Sequence, residues 1–154
     1  MTVPLFGAPQ EAVTSDDYYT PAWLFEDMGL RFDLDVAAPP GGVPWVPADR
    51  FFTKADDGLS QEWVGRVWMN PPFSGTTPWV EKFMAHQNGV ALLPIYNNSW
   101  MISLWKSVGG MCFFGNNFHY VRPGEGKRAI MFRCGLWAVG DECVEAIGRI
   151  GHVR

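Results

Sequence analysis

At 154 residues the chain has room for one domain and little more, and a composition of 47% hydrophobic and 18% charged residues suits a packed globule and excludes a disordered or fibrous chain. A formal charge of −4 excludes a uniformly basic nucleic-acid binder. No apolar run approaches eighteen residues, and the start MTVPLFGAPQ lacks a basic-then-hydrophobic pattern, so neither a membrane span nor a secretion signal is expected.

Residues 1–15 are polar and irregular and read as a flexible arm ahead of one domain over 16–154. Thr20-Pro21 opens a helix, with Thr as N-cap and Pro at the first helical position. Trp23, Leu24 and Met28 form its apolar side, and Gly29 ends it. Phe32-Asp33-Leu34-Asp35-Val36 alternates apolar and polar residues and predicts a strand, with Asp33 facing solvent. Residues 37–47 hold four Pro and two Gly and predict a loop. A second strand over 64–69 runs into Asn70-Pro71-Pro72-Phe73, where consecutive prolines force the chain out of the sheet.

Thr77-Pro78 repeats the cap-then-proline signal, and the helix it opens carries Trp79, Val80, Phe83 and Met84 on one face until Asn88-Gly89 stops it. Val90–Ile95 is a continuous apolar run, suited to a strand buried on both faces. A helix near 99–107 follows. Residues 111–121 and 129–139 then predict an antiparallel hairpin about the turn Arg122-Pro123-Gly124-Glu125-Gly126, and Asp141 caps a last helix. Strands separated by helices, closed by a hairpin, predict a single-domain α/β fold around a mostly parallel sheet. Ligands bind such sheets at the carboxyl ends of strands, where Asp35 and Asn70 both fall.

Charge is unevenly spread. Residues 1–77 carry 4 Lys/Arg and 11 Asp/Glu, whereas residues 78–154 carry 8 and 5. Between Lys106 and Arg133 stand five basic residues and one acid, Glu125. On one surface this segment suits contact with phosphates; a solvated basic loop is the alternative. Cys112, Cys134 and Cys143 are odd in number and lack CxxC spacing, which points to free thiols in a reducing cytoplasm and away from a zinc site. His86, His119 and His152 show no ligand spacing, so no metal is expected.

Asn70-Pro71-Pro72-Phe73 carries the most specific chemistry. An Asn/Asp-Pro-Pro-aromatic tetrapeptide arises by chance in roughly a few of every thousand chains of this length. A rigid turn ending a strand is the structural alternative. A neutral exocyclic amine needs acceptors for its hydrogens if its lone pair is to meet an electrophile. The Asn70 side-chain oxygen and the Pro71 carbonyl supply two, on a backbone stiffened by Pro72. Phe73 offers a stacking face for a base, which must first leave the duplex because pairing hides its amino group.

The ordered set DYYTPAWLF (17–25), FDLDVAA (32–38), FFT (51–53), DGL (57–59) with Trp63, VWMNPPF (67–73) with Pro78-Trp79, then LLP (92–94) and the hairpin, resembles the phage-type DNA N6-adenine methyltransferases, a small Dam-like family. The match covers residues 16–135 or so. The resemblance implies a reduced Rossmann-like methyltransferase sheet, S-adenosylmethionine as cofactor, DNA as partner, and a cytoplasmic monomer or homodimer. It places Tyr19, Thr20 and Pro21 beside the methionine end of the cofactor. Asp35 would lie near the cofactor's amino group with Ala37 next to it, and Asp57 and Leu59 would border its adenosine. Asn70, Pro71, Pro72 and Phe73 become catalytic, while Arg122, Lys127 and Arg128 are expected to hold DNA. Thr20 as a mere helix cap and Asp57 as a mere turn residue are the structural alternatives. The glycine-rich turn that follows the first acid in most methyltransferases is altered here to Ala37-Ala38-Pro39-Pro40-Gly41-Gly42, in which only the two glycines readily adopt positive φ. Two other functions fit the same tetrapeptide: methylation of a glutamine side-chain amide in a protein, and a degenerate DNA-binding protein without activity.

Overall fold

The computed structural model describes residues 18–95, 99–114, 118–122, 126–129 and 133–154, so the arm expected over 1–15 lies outside the described residues. Among these, the elements run α1 (Ala22–Met28), β1 (Phe32–Asp35), β2 (Ala48–Phe51), β3 (Val67–Met69), a 3₁₀ turn (Phe73–Gly75), α2 (Thr76–His86), β4 (Gly89–Pro94), α3 (Ser99–Ser107), β5 (Gly110–Phe113), β6 (His119–Arg122), β7 (Gly126–Ala129), β8 (Cys134–Val139) and α4 (Asp141–Gly148). Six strands form one sheet in the order β2-β1-β3-β4-β8-β5, and β6 and β7 pair separately. Strands β1 to β4 pair in parallel, and β8 lies antiparallel between β4 and β5. This is the mostly parallel, Rossmann-like α/β sheet expected from the sequence.

The central strands are apolar throughout because both faces of the sheet are covered. Successive residues therefore serve opposite layers. Trp68, Val90, Leu92, Leu136 and Ala138 pack with Leu24, Phe25, Met28 of α1 and Cys143, Ala146, Ile147 of α4. Val67, Met69, Ala91, Leu93 and Trp137 pack with Val80, Phe83 of α2 and Trp100, Leu104 of α3. Trp23 is left partly exposed, and Asp33 faces solvent as expected. No helix among the described residues is long and apolar enough to cross a membrane.

Local details differ from the sequence reading where hydrogen bonding goes elsewhere. Helix α1 starts at Ala22 with Pro21 as N-cap and no side-chain cap bond, so Thr20 is not its cap. Helix α2 starts at Thr76 after Gly75, with Thr77 and Pro78 inside the first turn, and it ends at Gln87, which takes the left-handed conformation before Asn88-Gly89. Asp141 is the first helical residue of α4, not its cap, and sits where a carboxylate favours the helix dipole. Edge strand β2, mostly exposed, has no hydrophobic alternation to announce it. Of the expected hairpin, the described residues form two ladders of one register, β5–β8 and β6–β7, and residues 115–117 and 130–132 between them lie outside the described residues.

Gly89 begins β4 opposite Val67 with φ of 154°, and a Cβ there would lie 2.3 Å from the Val67 carbonyl oxygen. Neither backbone can yield without breaking the β3–β4 ladder. Gly89→Ala is therefore expected to cost about 2–3 kcal/mol, a fall in Tm of roughly 5–10 °C. Thermal unfolding followed by circular dichroism checks this, and an unchanged Tm would contradict the packing.

Candidate active site

After β1 the chain moves outward to β2, then returns across β1 to lay down β3 on its other side. The connections diverge there, opening a crevice beyond the carboxyl ends of β1 and β3. Asp35 is the last residue of β1, and Asn70 directly follows β3. A cleft of about 790 Å³ opens at this point, within the size range of small-molecule sites. It brings together Tyr19, Thr20, Asp35, Ala37, Asp57, Asn70 and Pro72 from distant parts of the chain.

Asn70 is held by the segment just before α1. Its Nδ2 donates to the Tyr18 carbonyl at 3.2 Å and to Thr20 Oγ1 at 3.4 Å. A carbonyl only accepts, so the amide nitrogen must face Tyr18 and the oxygen must point the other way. Asn70 Oδ1 is buried and has no hydrogen-bond partner among the described residues. Among the described residues two other buried side-chain atoms are likewise unpaired, Arg66 Nε and Trp137 Nε1, but both are donors and neither residue lines the cleft. The Thr76 hydroxyl, by contrast, reaches the Pro72 and Phe73 carbonyls at 3.2 and 3.3 Å. Asn70, which lines the cleft, thus carries a side-chain acceptor left unused among the described residues.

Asp35 is only 4% exposed, and the Ala37 amide donates to its Oδ1 at 3.2 Å. Burial pushes its carboxyl up from 3.8 to about 7, and the Ala37 hydrogen bond only partly opposes this. Desolvation without a cation is the cause. A positively charged group placed beside it would return the carboxyl to its ionised form.

The family model described as DNA N-6-adenine-methyltransferase (Dam) matches residues 9–128. The chain belongs to this family. It is also similar to the DNA N-6-adenine-methyltransferase of Haemophilus phage HP1 (strain HP1c1), with 34% identity over 70 residues. That match covers 42% of this chain and 39% of the relative, so the chain spans well under half the length of the relative it matches.

In this Dam-family chain the altered loop after β1 forms one wall of the cleft through Ala37, Ala38, Pro39 and Pro40. Gly41 and Gly42 take φ of 80° and 73°, the turn that the sequence left to them alone. Asp57 stands in a turn and also lines the cleft. It closes the turn onto Lys54 with φ of 54°, unusual for a residue with a side chain. Its neighbour Asp56 serves the turn instead, accepting from the Thr53 amide and hydroxyl.

Pro21, Leu59, Pro71 and Phe73 lie outside the cleft lining. Phe73 is half-buried, its ring 5.9 Å from that of Tyr120. Leu59 contributes a carbonyl to Lys82 Nζ at 2.8 Å. Arg122 ends β6 opposite Gly126, and Lys127 and Arg128 pair by register with Val121 and Tyr120. Turn residues 123–125 lie outside the described residues. Sequence reasoning assigned no role to Tyr18, Lys54 or Trp79, which also line the cleft. Tyr18 acts through its backbone, which no side-chain pattern reveals, and Lys54 stands in a turn whose path only the fold defines.

The raised Asp35 carboxyl has a consequence for stability. An acid whose folded value lies above its unfolded one is destabilising once ionised, so the cost appears as pH rises from about 4 and is complete above about 7. Asp35→Asn removes it while keeping an acceptor for Ala37. The variant is expected to be more stable than wild type at pH 8, by roughly 2–4 kcal/mol, and to lose that advantage as pH falls to 4. Paired thermal melts at the two pH values check this; a less stable variant at pH 8 would contradict it.

Proposed function

We propose that the protein transfers a methyl group from S-adenosylmethionine to the N6 amino nitrogen of an adenine rotated out of DNA. Membership of the Dam family supports the reaction class. The observation that carries the residue roles is the unpaired, buried Asn70 Oδ1 at the carboxyl end of β3. The residues present fit the cofactor. A buried carboxylate without a cation calls for one, and Asp35 would hold the cofactor's charged amino group. Tyr19, Thr20, Pro21 and Ala37 would border its methionine end, and Asp57 and Leu59 its adenosine. When bound, the cofactor supplies an electrophilic methyl group.

Asn70 Oδ1 and the Pro71 carbonyl accept the two hydrogens of the adenine amine, which leaves the nitrogen lone pair free to react. Both bonds strengthen as the nitrogen becomes positive, so they favour the transition state over the bound substrate. No strong general base is required, because the amine becomes acidic as it is alkylated. Pro72 stiffens the turn, and Phe73, braced by Tyr120, presents a ring to the extruded base. Arg122, Lys127 and Arg128 hold the phosphate backbone and so offset the acidity of the first half of the chain.

The direct test is incubation with methyl-labelled cofactor and either duplex DNA or protein acceptors, followed by mapping of the product. Label is expected in DNA as N6-methyladenine; label in protein glutamine, or none with bound cofactor, would overturn the proposal. Asn70→Ala is expected to lower kcat by at least about a hundredfold with the fold intact, by analogy with losing one transition-state hydrogen bond. Asn70→Asp keeps an acceptor but loses both donors and should fall between; near-normal turnover by Asn70→Ala would remove Asn70 from the mechanism.

Changing Lys127 and Arg128 together to Ala tests the DNA contact. Each phosphate neutralised contributes about 0.9 to the slope of log affinity against log salt. The double variant should flatten that slope by up to about two units and weaken all DNA sequences alike, while activity at saturating DNA survives. An unaltered salt dependence would show that the hairpin does not meet phosphate.

A further inference from the structure

We infer that Thr20 is a positioning residue: together with the Tyr18 carbonyl it clamps the Asn70 amide nitrogen, and so decides which end of the amide faces the cleft. Its consequence for turnover rests on the methyl transfer proposed above, whereas the clamp itself is a matter of geometry.

A primary amide is nearly symmetric in shape but opposite in chemistry at its two ends. Turned over, Asn70 would set its oxygen against the Tyr18 carbonyl, acceptor to acceptor, and would aim two N–H donors into the cleft. An amine to be methylated would then meet donors where it needs an acceptor. In the structure the amide nitrogen has two acceptors within reach, Tyr18 O at 3.2 Å and Thr20 Oγ1 at 3.4 Å. The carbonyl sets the sense of the amide; the hydroxyl adds a second contact and stops the group from swinging.

The clamp is itself anchored on both sides. Tyr19 exchanges backbone hydrogen bonds with Val121 of β6, N to O at 2.7 Å and back at 2.8 Å. Trp45 Nε1 donates to the Thr20 carbonyl at 2.8 Å. Thr20 is only 2% exposed. The role that a Thr before Pro would ordinarily have is not filled, since helix α1 draws no side-chain cap bond. The hydroxyl of a buried threonine is therefore committed to Asn70 and not to the helix it precedes. Because β6 carries one side of this anchorage, the strap over residues 18–20 joins the basic hairpin to the amide in the cleft.

The test compares wild type, Thr20→Val, which keeps the shape without the hydroxyl, and Thr20→Ser, which restores it. In the cofactor-free protein, the side-chain amide hydrogens of Asn70, assigned by ¹⁵N NMR through their loss in Asn70→Asp, should exchange slowly with solvent. Exchange should quicken at least about tenfold in Thr20→Val and return to the wild-type rate in Thr20→Ser. In turnover at saturating cofactor and DNA, Thr20→Val should lose about three- to tenfold in kcat, as expected for one neutral hydrogen bond, with KM for DNA within twofold of wild type. Thr20→Ser should recover kcat. A wild-type kcat in folded Thr20→Val would overturn the inference, as would a loss confined to cofactor Kd, which would make Thr20 a cofactor contact only. Should Thr20→Val not fold, the wild-type exchange rate decides, and exchange at the solvent rate overturns the clamp. Absence of methyl transfer by the wild type would defeat the proposed function, while the exchange measurement would still report on the clamp.

Discussion

A buried hydrogen-bond acceptor with nothing donating to it costs roughly 1–3 kcal/mol, and folded proteins leave few of them. This fold keeps Asn70 Oδ1 in that condition and, lining the same cleft, buries the Asp35 carboxyl with one amide for company. Both belong to the carboxyl ends of β1 and β3, where the sheet reverses its order of strands. The remaining architecture can be understood as what holds these two groups in place and dry. Helices on both faces bury β1 and β3, so neither group can turn to solvent for relief. The loop over residues 37–47 and the turn at Asp57 wall the cleft without supplying a partner for Asn70 Oδ1.

The short segment before α1 completes the arrangement. It is neither helix nor part of the main sheet. Its order comes from the bridge to β6 and from the Trp45 side chain, and it passes that order to Asn70. Contacts made at the hairpin and chemistry at the cleft therefore share one backbone connection. The charge distribution follows the same division. The acidic first half of the chain supplies most of the cleft, and the basic second half supplies the hairpin.

Much of this was legible in the sequence, for identifiable reasons. Asn70 stood out because a proline pair after an apolar run can only mark the exit from a sheet. Asp35 stood out because it closes a strand before a proline-rich loop. The apolar run at 90–95 and the helix at 99–107 announced themselves by composition and periodicity, and both are present. Thr20 was ambiguous because capping a helix and gripping a distant amide use the same hydroxyl. The positions of Thr77 and Asp141 were misjudged as caps for a related reason: glycine can take the boundary position with no side chain at all. Strand β2 escaped notice because an exposed edge strand has no apolar face to repeat. The packing of Phe73 against Tyr120 is a contact between residues far apart in sequence that spacing alone does not reveal.

A site that holds an ionisable group in the wrong state for its surroundings trades stability for binding. On the proposed reading, the missing partner of Asp35 is the cationic amino group of the cofactor. The carboxyl, held near 7 in the free protein, should then ionise when the cofactor binds and release its proton. Titration calorimetry with S-adenosylmethionine at pH 6, in buffers of different ionisation enthalpy, counts that proton directly. The account predicts release of most of one proton at pH 6, where the cofactor's amino group is already protonated in solution, with the release abolished in Asp35→Asn. Binding that releases no proton at pH 6, or that releases the same number without Asp35, would contradict it.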